Sequence, residues 1–313
     1  MEKQDIVPSK HIVVSAIGVT GKTQMQKSTM VVNGIERREP ELDVSIEEAD
    51  LRMMVHIKNA AQNGIKTSVV VSNDTDVLVL LMNYWATFKE IGLEELWMRG
   101  GAGDTTRYIP VHSLAEKVGP EICKCIIGMH MLTGTDVTSK FGTKASALKA
   151  KPEMYLADFG NDIDSIDIDR AEEYLVQVYK PGTHIKTLDA LRFFIYHQSK
   201  KSLVQLPPTS YMARSHILRA FLGAFTQLHC FSGLTLNPEE YGYEMQDGLL
   251  LPVHDLRLLL PDFPSACKCG KCATLRCKCR LAGISCCTYC KCKAAAIPLC
   301  KNPNVLLQIP MRM

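Results

Sequence analysis

Ten of the thirteen cysteines lie close together, between Cys267 and Cys300. Thiolates spaced two or three residues apart can converge on one tetrahedral zinc ion, and small residues such as Gly270 and Ala273 let the backbone fold tightly around it. Because the segment has almost no apolar core, metal binding must supply its folding energy. A free or disulfide-bonded tail is the alternative. The predicted zinc ligands are Cys267, Cys269, Cys272, Cys277, Cys279, Cys286, Cys287, Cys290 and Cys292.

The remainder of the sequence favours a metal over disulfides. The chain opens on the polar stretch MEKQDIVPSK, which lacks the charged-then-apolar pattern of a secretion signal. Its apolar runs are too short to cross a bilayer, which takes about 20 residues. We therefore expect an intracellular protein without a membrane partner, in a compartment where thiols stay reduced.

Basic residues are concentrated in the same cysteine-rich segment, which contains no acidic residue. The whole chain has a net charge of only +3, so affinity for nucleic acid must come from a local patch. Nine thiolates and three zinc ions leave three negative charges, so the module would carry a net charge of about +4. The alternative is that these lysines only offset the negative charge of the cluster. The basic residues are Lys268, Lys271, Arg276, Lys278, Arg280, Lys291 and Lys293.

The spacing from Cys277 to Cys292 resembles the tesmin-type CXC domain of DNA-binding regulators, in which nine cysteines hold three zinc ions. The family's ninth cysteine would fall at Ala295, so either Cys287 or Cys300 substitutes for it, or only two ions bind. Arg276 stands where the family has a DNA-contacting tyrosine. The resemblance implies DNA as partner, a nuclear location, and DNA contacts from Lys268, Lys271, Arg276, Lys278 and Arg280.

Acidic residues form a second candidate site. Glu48 and Asp50 open a predicted helix, Asp74 and Asp76 follow a predicted strand, and Asp136 follows a later helix. Carboxylates gathered at one sheet edge suit Mg²⁺ or Mn²⁺, and two such ions suit phosphodiester hydrolysis. Each residue also has a structural alternative: Glu48 as the capping-box partner of Ser45, Asp74 as a helix N-cap, and Asp76 as a partner of the helix dipole.

The order of these acids resembles the flap-endonuclease branch of the PIN-like superfamily. Its motifs correspond to Glu48-Ala49-Asp50, Ser72-Asn73-Asp74-Thr75-Asp76, Thr133-Gly134-Thr135-Asp136 and Phe141-Gly142-Thr143-Lys144. The resemblance implies catalytic roles for the five acids and a DNA-phosphate contact from Lys144. The family's other aspartates have no counterpart in the 47 residues before Glu48. A non-enzymatic regulator that keeps the nuclease scaffold is therefore the alternative. The pairing with a CXC module also resembles animal proteins of mobile-element origin.

The elements that must position these residues follow from caps and periodicity. A helix is predicted from Ser45 to Gly64, and Thr67–Ser72 is predicted to be a strand buried on both faces of a parallel sheet. Further helices and strands alternate to about residue 150, which predicts a PIN-like α/β domain with a mainly parallel sheet flanked by helices. The Gly18–Thr23 turn is too short for a P-loop, so no nucleotide cofactor is expected.

The predicted organisation has five parts. They are a segment of short strands (1–44), the α/β domain (45–156), a helical region (157–232), a linker (233–265) and the zinc module (266–301). Pro181, Pro207 and Pro208 separate the helices of the third part. The combination predicts a DNA-binding protein with a metal-dependent 5′-nuclease-type domain.

Overall fold

Helices, a small mixed sheet and a carboxyl-terminal cluster of cysteines make up the described part of the chain. The computed structural model describes residues 12–14, 28–32, 35–43, 46, 48–198, 206–253, 267–281, 286, 290–292 and 300–302. This arrangement confirms the predicted α/β class, including the cysteine-rich module. None of the described helices combines the length and apolar character needed to cross a membrane.

The helices agree in order with the predicted pattern. They are α1 (Ala49–Gln62), α2 (Thr75–Ile91), α3 (Val111–Val118), α4 (Pro120–Thr133), α5 (Lys144–Lys149), α6 (Ile168–Tyr179), α7 (Leu188–Gln198), α8 (Ser210–Leu228) and α9 (Lys278–Leu281). The strands are β1 (Ile12–Val14), β2 (Thr29–Val32), β3 (Ile35–Arg38), β4 (Thr67–Val71), β5 (Glu95–Gly100), β6 (Arg107–Pro110), β7 (Tyr243–Gln246) and β8 (Leu249–Pro252). Strands β1 to β3 form an antiparallel sheet, as the short-strand segment predicted.

The ends of α1 agree only in part with the predicted capping signals. Gly64 follows the helix with a φ of +84°, which confirms the predicted left-handed stop. The helix begins at Ala49, and Glu48 is its N-cap residue without a side-chain capping bond. The capping-box role of Glu48 was therefore wrong, and Ser45 lies outside the described residues.

Strand β4 lies at one edge of the three-stranded sheet β4–β5–β6. It pairs in parallel with β5, whereas β5 pairs antiparallel with β6, so the sheet is mixed rather than mainly parallel. Val70 is buried, but Val69 and Val71 are 51% and 66% exposed. The prediction of a strand buried on both faces was wrong, because burial along β4 alternates, which is typical of a strand with one face covered and the other exposed.

One apolar core runs through the predicted α/β domain and the helical region. Helix α2 packs against α1, α3 and α4, and α4 packs against α8. Buried side chains from Leu51 to Tyr241 form a single cluster, and the hydroxyl of Tyr84 donates to the carbonyl of Gln227 at 2.5 Å. The predicted boundary after residue 156 therefore does not coincide with a break in the core.

The predicted linker contains an ordered hairpin. Strands β7 and β8 are joined by Asp247 and Gly248, whose φ values of 52° and 78° are typical of a tight hairpin turn. Tyr241, just before β7, is buried and stacks on Phe221 of α8 with ring centroids 5.7 Å apart. This packing attaches the segment to the core, which its Pro/Gly-rich sequence did not predict.

Candidate metal centre and carboxylate edge

Cysteine side chains form the buried cluster of the described part of the carboxyl-terminal module. Seven cysteines are at most 3% exposed and form one buried cluster, against which Cys269 and Cys300 pack. The buried seven are Cys267, Cys272, Cys277, Cys279, Cys286, Cys290 and Cys292. Eight of the nine predicted zinc ligands thus come together, and Cys287 lies outside the described residues.

The sulfur separations fit tetrahedral metal coordination. The Sγ atoms of Cys267 and Cys272 are 3.5 Å apart, and those of Cys277 and Cys286 are 3.8 Å apart. Zinc–sulfur bonds of about 2.3 Å at tetrahedral angles place two ligand sulfurs about 3.8 Å apart. A disulfide bond is only about 2 Å long, and all the described cysteines are free thiols.

Three sets of four cysteines can each hold a metal ion such as zinc, because within a set all sulfurs lie within 4.8 Å of one another. The sets are Cys267, Cys269, Cys272 and Cys277; Cys267, Cys272, Cys286 and Cys292; and Cys267, Cys277, Cys279 and Cys286. Cys267 belongs to all three sets, and Cys286 belongs to two. Shared sulfurs of this kind suit thiolates that bridge neighbouring ions.

The thiols of the cluster resist ionising together. Burial raises the pKa of Cys279 to about 12 and that of Cys292 to about 11. Burial also opposes ionisation of Cys277, but the backbone N–H of Arg280 and neighbouring thiols lower its pKa to about 7. Because a zinc ligand must be a thiolate, a cation within the cluster would have to offset the cost of the buried negative charges.

The surface of the module is basic. Lys268, Lys271, Arg276 and Lys278 are exposed, and no acidic residue occurs between Cys267 and Asn302. Arg280 differs from them because it is half-buried and its guanidinium donates to the carbonyl of Ala273. Within the described part of the module, the side chains of the other four predicted DNA-contact residues make no such bond to a backbone carbonyl.

Four of the five predicted acids lie near one another: Glu48, Asp50, Asp74 and Asp76. Burial raises the pKa of Asp50, and the negative charges of Asp74, Glu48 and Asp76 raise it further. Asp136 is exposed in the segment between α4 and α5 and is not among the acids that act on Asp50. Among the described residues, every set of three or more side chains close enough to hold an ion consists of cysteines. The acids therefore lie near one another without forming a preassembled metal site.

Asp74 and Asp76 have structural partners as well. Asp74 is the N-cap of α2, and its carboxylate accepts the backbone N–H of Asp76 at 2.9 Å, which confirms the capping alternative. The Oδ1 atom of Asp76 lies 2.6 Å from Nε2 of His130, which is 3% exposed. Burial lowers the pKa of His130, so at neutral pH a neutral imidazole donates to Asp76.

The side chain of Lys144 is hydrogen-bonded to the carboxyl end of α4. Its ammonium donates to the carbonyls of Gly134 (2.8 Å) and His130 (3.1 Å) and to the hydroxyl of Thr133 (3.1 Å). Burial lowers the pKa of Lys144 to about 8, although the charge of Asp76 acts in the opposite direction. The three donors of Lys144 are therefore engaged within the fold, and the predicted phosphate contact would have to replace these bonds.

Sequence reasoning did not single out His130 as a site residue. Its partner Asp76 is 54 positions away in the chain, and only the packing of α4 on α2 brings the two together. Sequence reasoning also missed Asn302, whose side chain contacts the sulfur of Cys286. No known family, curated protein or solved structure matches this chain.

Proposed function

We propose that this chain is a nucleic-acid-binding protein whose cysteine module, held together by two or three zinc ions, docks on DNA. The observation that carries the proposal is a buried cluster of thiols enclosed by exposed lysine and arginine side chains. Phosphate groups along DNA attract such a surface without any requirement for sequence. The resemblance to DNA-binding CXC modules is consistent with this role.

The charge of the module favours this proposal over its alternative, in which the basic residues only neutralise the thiolates. Lys268, Lys271, Arg276, Lys278 and Lys291 are all exposed, and none faces an acidic residue within the module. Zinc ions would cancel most of the thiolate charge, which leaves the basic side chains in excess. A net positive surface therefore remains available for phosphate contacts.

DNA affinity should fall as the salt concentration rises, and the steepness of this fall is proportional to the number of phosphate contacts. Each contact contributes about 0.9 to the slope of log K against log [salt]. We expect Arg276→Ala and Lys278→Ala each to reduce the slope by about one such step in the zinc-loaded full chain. The slope is measured by fluorescence anisotropy with a duplex of random sequence. The salt concentration is varied between 50 and 200 mM, on the order of cellular ionic strength.

Lys89→Ala is the matched control for these variants. Lys89 is an exposed lysine on α2 that pairs with Glu116 at 2.8 Å, outside the module, so its loss should leave the slope unchanged. Salt-independent binding, or no binding by the zinc-loaded chain at low salt, would show that the lysines serve only the cluster.

A second candidate function is divalent-metal-dependent phosphodiester hydrolysis by a PIN-like, 5′-nuclease-type domain. The observation in its favour is the crowding of Glu48, Asp74 and Asp76 around Asp50. Like charges at close range are relieved by a divalent cation, and Mg²⁺ or Mn²⁺ prefers carboxylate oxygens. A scaffold of the same form without catalysis, kept for binding, is the corresponding non-enzymatic alternative.

Manganese should stabilise the fold if the carboxylates bind it. A ligand at 100 times its Kd adds about 2.7 kcal/mol to the free energy of unfolding. Asp50→Asn removes the most crowded charge, so we expect this variant to melt higher than wild type without metal and to gain nothing from Mn²⁺. Thermal melts with and without Mn²⁺ test this, with Asp104→Asn, in an exposed turn, as control. Equal manganese shifts in wild type and both variants would exclude the site.

A further inference from the structure

The chain returns to the cysteine cluster beyond the predicted ligands. The backbone N–H of Lys301 donates to the carbonyl of Lys271 at 2.8 Å, which fixes residues 300–302 against the start of the module. Asn302 is 3% exposed, and its side-chain Nδ2 lies 3.3 Å from the Sγ atom of Cys286. A polar side chain buried against sulfur atoms therefore donates to one particular thiol.

The thiol that Asn302 contacts belongs to the candidate ligand sets. Cys286, like Cys272 and Cys277, is a member of two of the three sets of four cysteines, so its sulfur is placed to serve two neighbouring ions. A hydrogen bond to a ligating atom stabilises its negative charge and fixes its orientation. Burial of an amide is costly unless the amide is hydrogen-bonded, so this bond also supports the buried position of Asn302.

Cys300, two residues before Asn302, packs against the cluster as well and is half-buried. It belongs to none of the three sets of four cysteines, so each set is complete without it. The contact that this part of the chain makes with a candidate ligand is therefore the one from Asn302 to Cys286.

We propose that the metal centre extends to Asn302, a positioning residue whose side-chain amide holds the sulfur of Cys286 in the orientation in which it ligates the metal. The inference rests on the zinc-binding part of the proposed function and is independent of DNA binding.

Zinc content and zinc affinity of the full-length chain test the inference. By native mass spectrometry, we expect Asn302→Leu to retain the zinc count of wild type. In competition with a chelator, it should bind zinc about 10- to 100-fold more weakly than wild type. Asn302→Asp keeps the size of the side chain and replaces its donor by a negative charge, so its affinity should fall at least as far.

Two matched controls separate these effects from general damage. Cys230→Ser changes a buried cysteine of the main core while keeping a donor to the Tyr84 hydroxyl, and Lys301→Ala changes an exposed neighbour whose backbone makes the bond to Lys271. Both should match wild type in zinc count and affinity. Cobalt substitution adds a second readout, since loss of the hydrogen bond to a ligating sulfur should shift the sulfur-to-cobalt charge-transfer absorption in Asn302→Leu and leave it unchanged in the two controls.

The outcomes distinguish the inference from the proposed function. If wild type holds zinc and the Asn302 variants match it in affinity and cobalt spectrum, the inference alone is wrong. If wild type holds no zinc, both the inference and the zinc module are wrong. Loss of DNA binding with the expected zinc results would leave the inference supported.

Discussion

Replacing Cys267 by serine should remove the bound zinc from this protein and unfold the segment from Cys267 to Asn302. Cys267 is the one cysteine that belongs to all three candidate sets, and it is 2% exposed. Its backbone N–H lies 3.3 Å from the sulfur of Cys290, and its carbonyl accepts the N–H of Lys291 at 2.9 Å. Structural zinc contributes about 10–16 kcal/mol to modules that lack an apolar core, so little stability would remain.

Cys269→Ser is the informative comparison. Cys269 is half-buried and belongs to a single set, so its loss should release at most one ion and leave the rest of the module folded. Metal content after dialysis against a chelator, together with limited proteolysis at the exposed lysines, measures both effects in the full chain. Equal zinc loss from the two variants would contradict the shared-ligand geometry around Cys267.

The second large effect should come from Phe221→Ala, which we expect to reduce the free energy of unfolding by about 3–5 kcal/mol. Phe221 of α8 is fully buried and touches two other parts of the chain. Its ring lies edge-on to Phe159 at 5.3 Å and stacks on Tyr241 at 5.7 Å. Removal of the ring leaves a cavity between α8, the segment around Phe159 and the residues just before β7.

Because that core is continuous, the loss should appear in one cooperative transition that involves α1 to α8. Urea unfolding followed by circular dichroism and tryptophan fluorescence measures it, since Trp85 is in the core and far from Phe221 in sequence. Leu234→Ala, at a 54% exposed position, should change stability by less than about 0.5 kcal/mol. Two separate transitions, only one of them shifted by Phe221→Ala, would show that the core divides near residue 156.

The sequence alone determined the features that depend on neighbouring residues. Asp74 before an apolar run predicted the start of α2, and Gly64 predicted the end of α1, because caps and left-handed stops act over a few positions. The close spacing of the cysteines predicted a metal-binding cluster for the same reason, since thiols two or three residues apart converge whatever surrounds them.

Only the tertiary structure decided the features that depend on distant segments. The exposure of Val69 and Val71 depends on which face of the sheet is covered by the rest of the fold. A run of β-branched residues predicts a strand but does not indicate which of its faces is covered. His130 reaches Asp76 because α4 packs on α2, and Asn302 reaches Cys286 because the chain turns back on its own cluster. Local spacing fixes which residues can be neighbours along one element, whereas contacts across dozens of positions are set by the packing of whole elements.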